Sequence, residues 1–233
     1  MASPPVEPPP TNVRFPDPRS LRGDVVAIGC DFRPGTVLEA YRRGIFPWPQ
    51  GDEADDGGEP LVAWTSPDPR ALLPLDREPP WSRSLRRTLR RHPYEVTVDE
   101  DFAGVMRACG ETRESTWIIP ELVEGYLELH RLGWGHSLEV WERTSSGREL
   151  VGGIYGLAIG AAFVGESMFH KRTDTSKIAF AALAIRLRRS GFTIFDAQVM
   201  TPHLRSLGCE PARRASYLAL LEGAIGRGDL AIY

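Results

Sequence analysis

Cysteine is scarce and poorly placed for cross-linking: Cys30, Cys109 and Cys209 lie far apart and never form a Cys-x-x-Cys pair. That argues against a disulfide framework and against a zinc site, and leaves free, semi-buried thiols as the expectation. His92, His130, His136, His170 and His203 show no paired ligand spacing, so no metal is expected. Long apolar runs are also missing. None approaches the roughly 20 residues of a membrane helix, and the opening stretch "MASPPVEPPPTNVRFPDPRS" has no basic segment followed by an apolar one. The expectation is a cytoplasmic protein behind a proline-rich disordered or extended lead. Charge of one sign is lacking as well: the net charge is -3, so composition alone predicts no attraction to nucleic acid. What remains is ordinary globular material, 42% hydrophobic and 25% charged over 233 residues. That suffices for one large domain, or a large one with a small appendage.

The local distribution of charge departs from this neutral average. In "WSRSLRRTLRRHPY" the arginines stand at Arg83, Arg86, Arg87, Arg90 and Arg91, while Leu85 and Leu89 share another face. On a helix this is a continuous basic stripe, capped by Ser82 or Ser84 and stopped by the proline after His92. Charged faces of this kind are usually solvated and interleaved with acids; here there are none. Like charges crowded on one face repel unless a polyanion is expected, which points to a phosphate backbone.

Along the chain, "PGTVLEAYRRG" reads as a helix with Pro34 in its first turn and Gly44 at its end, followed by a rigid aromatic turn, Phe46-Pro47-Trp48-Pro49. "GDEADDGGEP" is a solvated acidic loop. "LVAWTSPDPRALLPL" gives two short extended runs around a turn, where a soft domain boundary falls. "YEVTVD" alternates as a strand, residues 100–110 form a short helix, and "PELVEGYLELHRLG" forms a clear one. "SLEVWERTSSGRELVGGIYGLAIGAAFVGESMF" reads as an antiparallel meander with turns at Ser-Ser-Gly and Ile-Gly-Ala. "TDTSKIAFAALAIRLRRSG" is a second strong helix, "FTIFDAQ" a further buried strand, and "ASYLALLEGAIG" a closing helix. Helices around a mainly antiparallel sheet make an α+β protein.

Two carboxylates stand out because they interrupt apolar sequence. Glu166 ends the third strand of the meander, and Asp196 lies near the end of "FTIFDAQ". On neighbouring strands they could converge with the Gln198 amide, which shares a face with Asp196 if the strand continues. Acyl transfer to an amine needs the amine held, its proton removed and the oxyanion steadied; a carboxylate with an amide serves the first two. The alternative is structural: Asp196 caps a turn and Glu166 pairs with an arginine. Trp48, Trp117 and Phe163 are equally open between core and pocket.

Several stretches together resemble the leucyl/phenylalanyl-tRNA-protein transferase family of bacteria: "AYRRGIFPW", "WTSPDPRALLPL", "TWIIPELVEGYLELHRLGWGHSLEVWE", "LVGGIYGLAIGAAFVGESMF", "SK" at 176–177, and "DAQV" with "HLRSLG". Behind the proline-rich lead over 1–22, the resemblance implies a small N-terminal domain over 23–68 and a C-terminal acetyltransferase-like (GNAT-like) domain over 69–233 with a mainly antiparallel mixed sheet. It implies transfer of leucine or phenylalanine from aminoacyl-tRNA to the N-terminal Arg or Lys of a protein, marking it for degradation, without a cofactor, by a monomer. Asp196 and Gln198 match the catalytic pair, the acid orienting or polarising the amide. Glu166 and Ser167 face the substrate, with Glu166 a candidate partner for the acceptor's cationic side chain. Trp48, Trp117 and Phe163 match aromatics at the aminoacyl-adenosine end, and Arg83, Arg86, Arg87, Arg90 and Arg91 match a basic cluster for the tRNA acceptor stem. Leu183 and Leu187 stand in the amino-acid pocket where the best-known members carry phenylalanines. The acidic insert at 51–60 and "SLGCEPARR" are further departures.

Three rivals share parts of this pattern. A coenzyme A acetyltransferase would need a phosphate-cradling glycine loop opening a helix, whereas the glycines of "HRLGWG" follow one. A leucyltransferase for N-terminal Asp or Glu would bring an acidic acceptor against Glu166 and Asp196. A noncatalytic RNA-binding module would leave the "DAQ" residues idle.

Overall fold

The computed structural model describes residues 4–49, 62–111, 119–228 and 230–232. Two sheets organise them. The smaller is antiparallel in the order β1 (Val25–Ile28), β3 (Val62–Thr65), β2 (Phe46–Pro49). The stretch expected as an aromatic turn is therefore a strand, and its two prolines are tolerated because β2 lies at an edge, where a missing N–H breaks no ladder. After Thr65 the chain turns through the "SPDP" segment and enters the larger sheet at β4 (Arg70–Leu73).

That sheet has seven strands in the order β10 (Glu210–Ala212), β4, β9 (Ile194–Asp196), β8 (Ala162–His170), β7 (Gly147–Ile159), β6 (Gly135–Thr144), β5 (Glu95–Val98). β6, β7 and β8 form the expected meander. β8 and β9 run parallel; every other pairing is antiparallel. β7 and β8 carry almost no polar alternation because both their faces are covered. On one face lie α1 (Pro34–Arg42), α3 (Phe102–Glu111) and α4 (Pro120–Arg131) with the small sheet; on the other lie α2 (Arg83–Arg91) and α5 (Thr175–Arg189). α6 (Pro202–Ser206) and α7 (Arg214–Ile225) follow β9, and α7 packs beside its lower end.

The proline-rich lead, expected to be disordered or extended, is described from residue 4 onward. Over residues 4–22 it carries a 3-10 turn at Pro18–Ser20 and is anchored: the Val6 N–H donates to the Leu132 carbonyl at 2.8 Å, Trp134 Nε1 donates to the Val6 carbonyl at 2.8 Å, and Phe15 packs on Trp64 with ring centroids 5.2 Å apart. Proline stiffens such a segment, and a few apolar side chains suffice to hold a chain that has little conformational entropy left to lose.

Candidate active site

The parallel pairing of β8 and β9 stops at Val164–Asp196, and the backbones part beyond it. β8 also carries a β-bulge there. Tyr155 of β7 pairs with Ser167 and the next residue, Gly156, pairs with Gly165, so Glu166 is the extra residue. A bulge re-aims a side chain; Glu166 turns to the α1 and α4 side of the sheet. Between the parted strands lies a cavity of about 220 Å³. Ile154, Met168, Phe180, Phe195 and Leu204 make its apolar wall; Glu166, Ser167, Gln198 and Thr201 supply its polar atoms, and Trp48 reaches it from the small sheet.

Glu166 is 8% exposed and held by neutral donors. Tyr41 on α1 donates to Oε1 at 2.7 Å, and the Gln198 Nε2 donates to the same oxygen at 2.9 Å. The Tyr126 hydroxyl on α4 lies 3.3 Å from Oε2 and 2.6 Å from the Tyr41 hydroxyl. Burial pushes the Glu166 carboxyl up to about 7; the three hydrogen bonds work against that shift and the charge of Asp196 adds to it. Both tyrosines are raised well above their usual range, first by burial and then by the Glu166 charge, so their hydroxyls stay donors.

Asp196 sits in a different environment, although the sequence presents it in the same way. Its carboxylate is fully buried and grips Arg70 from β4: Nε lies 2.8 Å from Oδ1 and Nη2 2.7 Å from Oδ2. Tyr217 on α7 donates to Oδ2 at 2.7 Å. Arg70 is stacked between the Phe46 and Tyr217 rings, 4.4 and 4.5 Å from their centroids, and its Nη1 donates to the Gly44 carbonyl. Burial, the largest single influence, would lower the Arg70 pKa; the charge and hydrogen bonds of Asp196, with Tyr217 and Tyr41, together outweigh it and hold the guanidinium above its ordinary value.

With these partners Asp196 does not border the cavity, so the expected side-by-side pair of Asp196 and Gln198 is corrected. The strand ends at Asp196, and Gln198 is left-handed, with φ of 63°. Its backbone N–H donates to Asp196 Oδ1 at 2.8 Å, and its carbonyl accepts from the Ala71 N–H. An Asp side chain bonded to the backbone two residues on is a standard way to stabilise a turn. Asp196 therefore acts on Gln198 through the backbone, and the amide reaches Glu166. Of the structural alternatives, Asp196 both caps the turn and pairs with an arginine; Glu166 pairs with none among the described residues.

The other expected site residues divide. Trp48 lines the cavity, edge-on to Phe46 at 6.0 Å, and Ser167 lines it too. Phe163 does not: it is buried on the α5 side, its ring edge-on to Phe195 at 5.6 Å. Leu183 and Leu187 are likewise packed in the core beneath α5, and the α5 residue that reaches the cavity is Phe180, stacked on Phe195 at 4.7 Å. One turn separates Phe180 from Leu183. On a helix buried over most of its circumference, periodicity does not show which residue faces a ligand. Trp117 lies outside the described residues. Sequence reasoning missed Tyr41, Tyr126, Arg70 and Tyr217; a tyrosine hydroxyl recurring at core positions of three helices was the available signal.

α2 carries the arginine stripe as expected. The Leu85 N–H donates to the Ser82 hydroxyl at 3.1 Å, Leu85 is buried, and Arg83, Arg86, Arg87, Arg90 and Arg91 are exposed. None of the five forms an ion pair among the described residues, whereas Arg19, Arg42, Arg77, Arg148 and Arg172 all do. α6 links this surface to the cavity: Leu204 lines the cavity, and Trp81, just before α2, donates to the Leu207 carbonyl just after α6. The glycines of "HRLGWG" close α4 and open β6, which leaves no phosphate cradle there.

The family model described as leucyl/phenylalanyl-tRNA protein transferase matches residues 72–222, and the model for the N-terminal domain of the same family matches residues 31–68. A leucyl/phenylalanyl-tRNA–protein transferase of Shewanella baltica is 45% identical over 213 residues, covering 89% of this chain and 85% of the relative. That of Aromatoleum aromaticum is 45% identical over 223 residues, covering 94% and 87%. Among solved structures, FemX matches at 9% identity with a TM-score of 0.51, covering 81% of this chain and 71% of that one, which is a likeness of fold. The chain belongs to the leucyl/phenylalanyl-tRNA protein transferase family.

Proposed function

We propose that the protein transfers leucine or phenylalanine from aminoacyl-tRNA to the N-terminal residue, Arg or Lys, of an acceptor protein. The observation that carries this reading is the meeting of the Glu166 carboxylate and the Gln198 amide at the edge of a small apolar cavity. At about 220 Å³ the cavity is smaller than the usual site for a drug-sized ligand. It suits one aliphatic or aromatic side chain, with the ester left at the polar edge. The aminoacyl ester is already activated, so the protein has only to position the amine and stabilise charge. The arginines of α2, which form no ion pair among the described residues, supply phosphate contacts for the donor, continuous over α6 with the cavity, and such contacts are indifferent to sequence. An acidic N-terminal residue would meet Glu166 with repulsion, whereas a cationic one is attracted. Among the described residues, no helix is long and apolar enough to cross a membrane.

The test is transfer of radiolabel from Leu-tRNA or Phe-tRNA to a model protein beginning with Arg, with one beginning with Asp as control. Label on the Arg protein alone supports the reading and ranks the donors. No label on either, with tRNA still bound, would leave an RNA-binding module.

A further inference from the structure

The acceptor's α-amino group arrives mostly as an ammonium ion at pH 7, since its pKa is about 7.7–8.0, and it cannot attack the ester until it loses a proton. Some group at the cavity must take that proton, and of the described residues lining it Glu166 alone is titratable. Asp196 is occupied by Arg70, Tyr217 and the Gln198 N–H, and does not reach the cavity.

We infer that Glu166 is the proton acceptor of the transfer, with Tyr41 and Tyr126 as the positioning residues that fix its carboxylate at the cavity edge. This rests on the functional reading above. The Glu166 carboxylate removes a proton from the acceptor's ammonium group, and the freed nitrogen attacks the ester carbonyl. On collapse the C–N bond has formed and the C–O bond to the ribose breaks; the nitrogen gives up one proton and the departing ribose oxygen gains one. Protonated Glu166 then releases its proton to solvent, so no co-reactant is needed.

The surroundings suit this role. Every polar group facing the carboxylate from the packed elements is either neutral or already neutralised. Tyr41 comes from α1, Tyr126 from α4 and Gln198 from beyond β9, while the charge of Asp196 is balanced by Arg70. The Asp196 carboxylate, by contrast, is spent on Arg70, Tyr217 and the Gln198 N–H. Burial instead holds Glu166 near the pH at which a base works best, and the ammonium, by its opposite charge, lowers that value once bound. The paired tyrosine hydroxyls can follow the change in charge by redistributing their two protons between each other and the carboxylate.

The experiment is the pH dependence of kcat, at saturating Leu-tRNA and Arg-peptide, for the unmodified protein and for Glu166→Gln, Tyr41→Phe and Tyr126→Phe. The unmodified protein should rise to a plateau with an inflection at or below about pH 7. In Glu166→Gln that inflection should vanish and be replaced by one near pH 8, that of the α-amine itself. The defect should be about 100-fold at pH 6.5, in the range general-base loss produces, and shrink about tenfold by pH 9. Each Tyr→Phe change removes a donor to the charged form and should move the inflection upward. An inflection unmoved by any of these variants overturns the inference, as does a Glu166→Gln defect confined to acceptor KM, which would make Glu166 a seat for the cationic side chain. If Glu166→Gln does not fold, the two tyrosine variants decide. No transfer by the unmodified protein at any pH would instead refute the functional reading, and is read first.

Discussion

Asp196→Ala is the substitution whose effect follows most directly from the packing. It leaves the Arg70 guanidinium, 1% exposed, with no counter-ion, and removes the acceptor of the Tyr217 hydroxyl and of the Gln198 N–H. Breaking a buried pair by deleting one partner costs about 3–5 kcal/mol because the stranded charge stays desolvated. Solvent screening offers no discount here, since neither side chain reaches water. With a urea m-value of about 3 kcal/mol/M the unfolding midpoint should fall by about 1–2 M, a large part of the roughly 5–15 kcal/mol that holds a domain together. Transfer should fall with it, because Gln198 loses the bond that holds it left-handed. The paired variant Arg70→Met with Asp196→Asn separates charge from position: it strands no ion, and the Asn oxygen can still accept from Gln198. Urea unfolding followed by circular dichroism should show most of the lost stability restored, and transfer should recover in step. A stable double variant that transfers nothing would refute the reasoning, since the negative charge itself would then take part in the chemistry; so would an Asp196→Ala protein destabilised by less than about 1 kcal/mol.

Three further outcomes follow from the site. Phe180→Ala enlarges the cavity and should shift the ratio of kcat/KM toward Phe-tRNA over Leu-tRNA by about tenfold or more, whereas Leu183→Ala should cost about 2–5 kcal/mol of stability and leave that ratio unchanged; paired kinetics and unfolding curves check both. Arg87→Ala with Arg90→Ala should weaken binding of every tRNA alike and flatten the plot of log affinity against log salt by about one unit for each phosphate no longer neutralised, with stability within about 0.5 kcal/mol of the unmodified protein. Glu166 should make stability fall with rising pH. Its folded pKa, about 7, lies above the unfolded value of about 4.5, so between those limits the folded state binds more protons than the unfolded one. The loss is complete above pH 7, is of order 3 kcal/mol, and should be absent in Glu166→Gln when unfolding is compared at pH 5 and pH 7.5.

Much of the fold was legible because it is written locally. α1, α2 and α4 carry their start and stop signals within a dozen residues, a first-turn proline in α1 and α4 and the Ser82 cap in α2, and the meander shows its turns at Ser145–Gly147 and Ile159–Ala161. What was not legible depends on neighbours far along the chain. "FTIFDAQ" looks like a strand throughout; it stops at Asp196 because Arg70 and Tyr217 claim that side chain, and they are 126 and 21 residues away. The prolines at 47 and 49 argue against a strand until β2 proves to be an edge, and edge position is a property of the sheet. α5 gives no usable stripe, as its apolar residues meet β6, β7 and β8 together. The choice among Phe180, Leu183 and Leu187 is settled only by where the parted strands leave a gap.

The two carboxylates show most clearly why residue type and spacing underdetermine a site. Glu166 and Asp196 each end an apolar run, each is buried, and each accepts hydrogen bonds from a tyrosine hydroxyl. The difference lies in one opposing side chain. Arg70 faces Asp196 across the β4–β9 pairing and turns it into an anchor whose reach is spent on the backbone of Gln198. No cation faces Glu166 among the described residues, and its desolvation is offset only by neutral donors, so its proton affinity rises toward neutrality. The arrangement divides the work: the charged pair holds the left-handed turn that presents the Gln198 amide, and the unpaired acid beside that amide keeps its capacity to exchange a proton. Exchanging the environments would upset both roles, since an arginine beside Glu166 would lower its proton affinity, and an Asp196 without Arg70 would be a buried charge with no counter-ion.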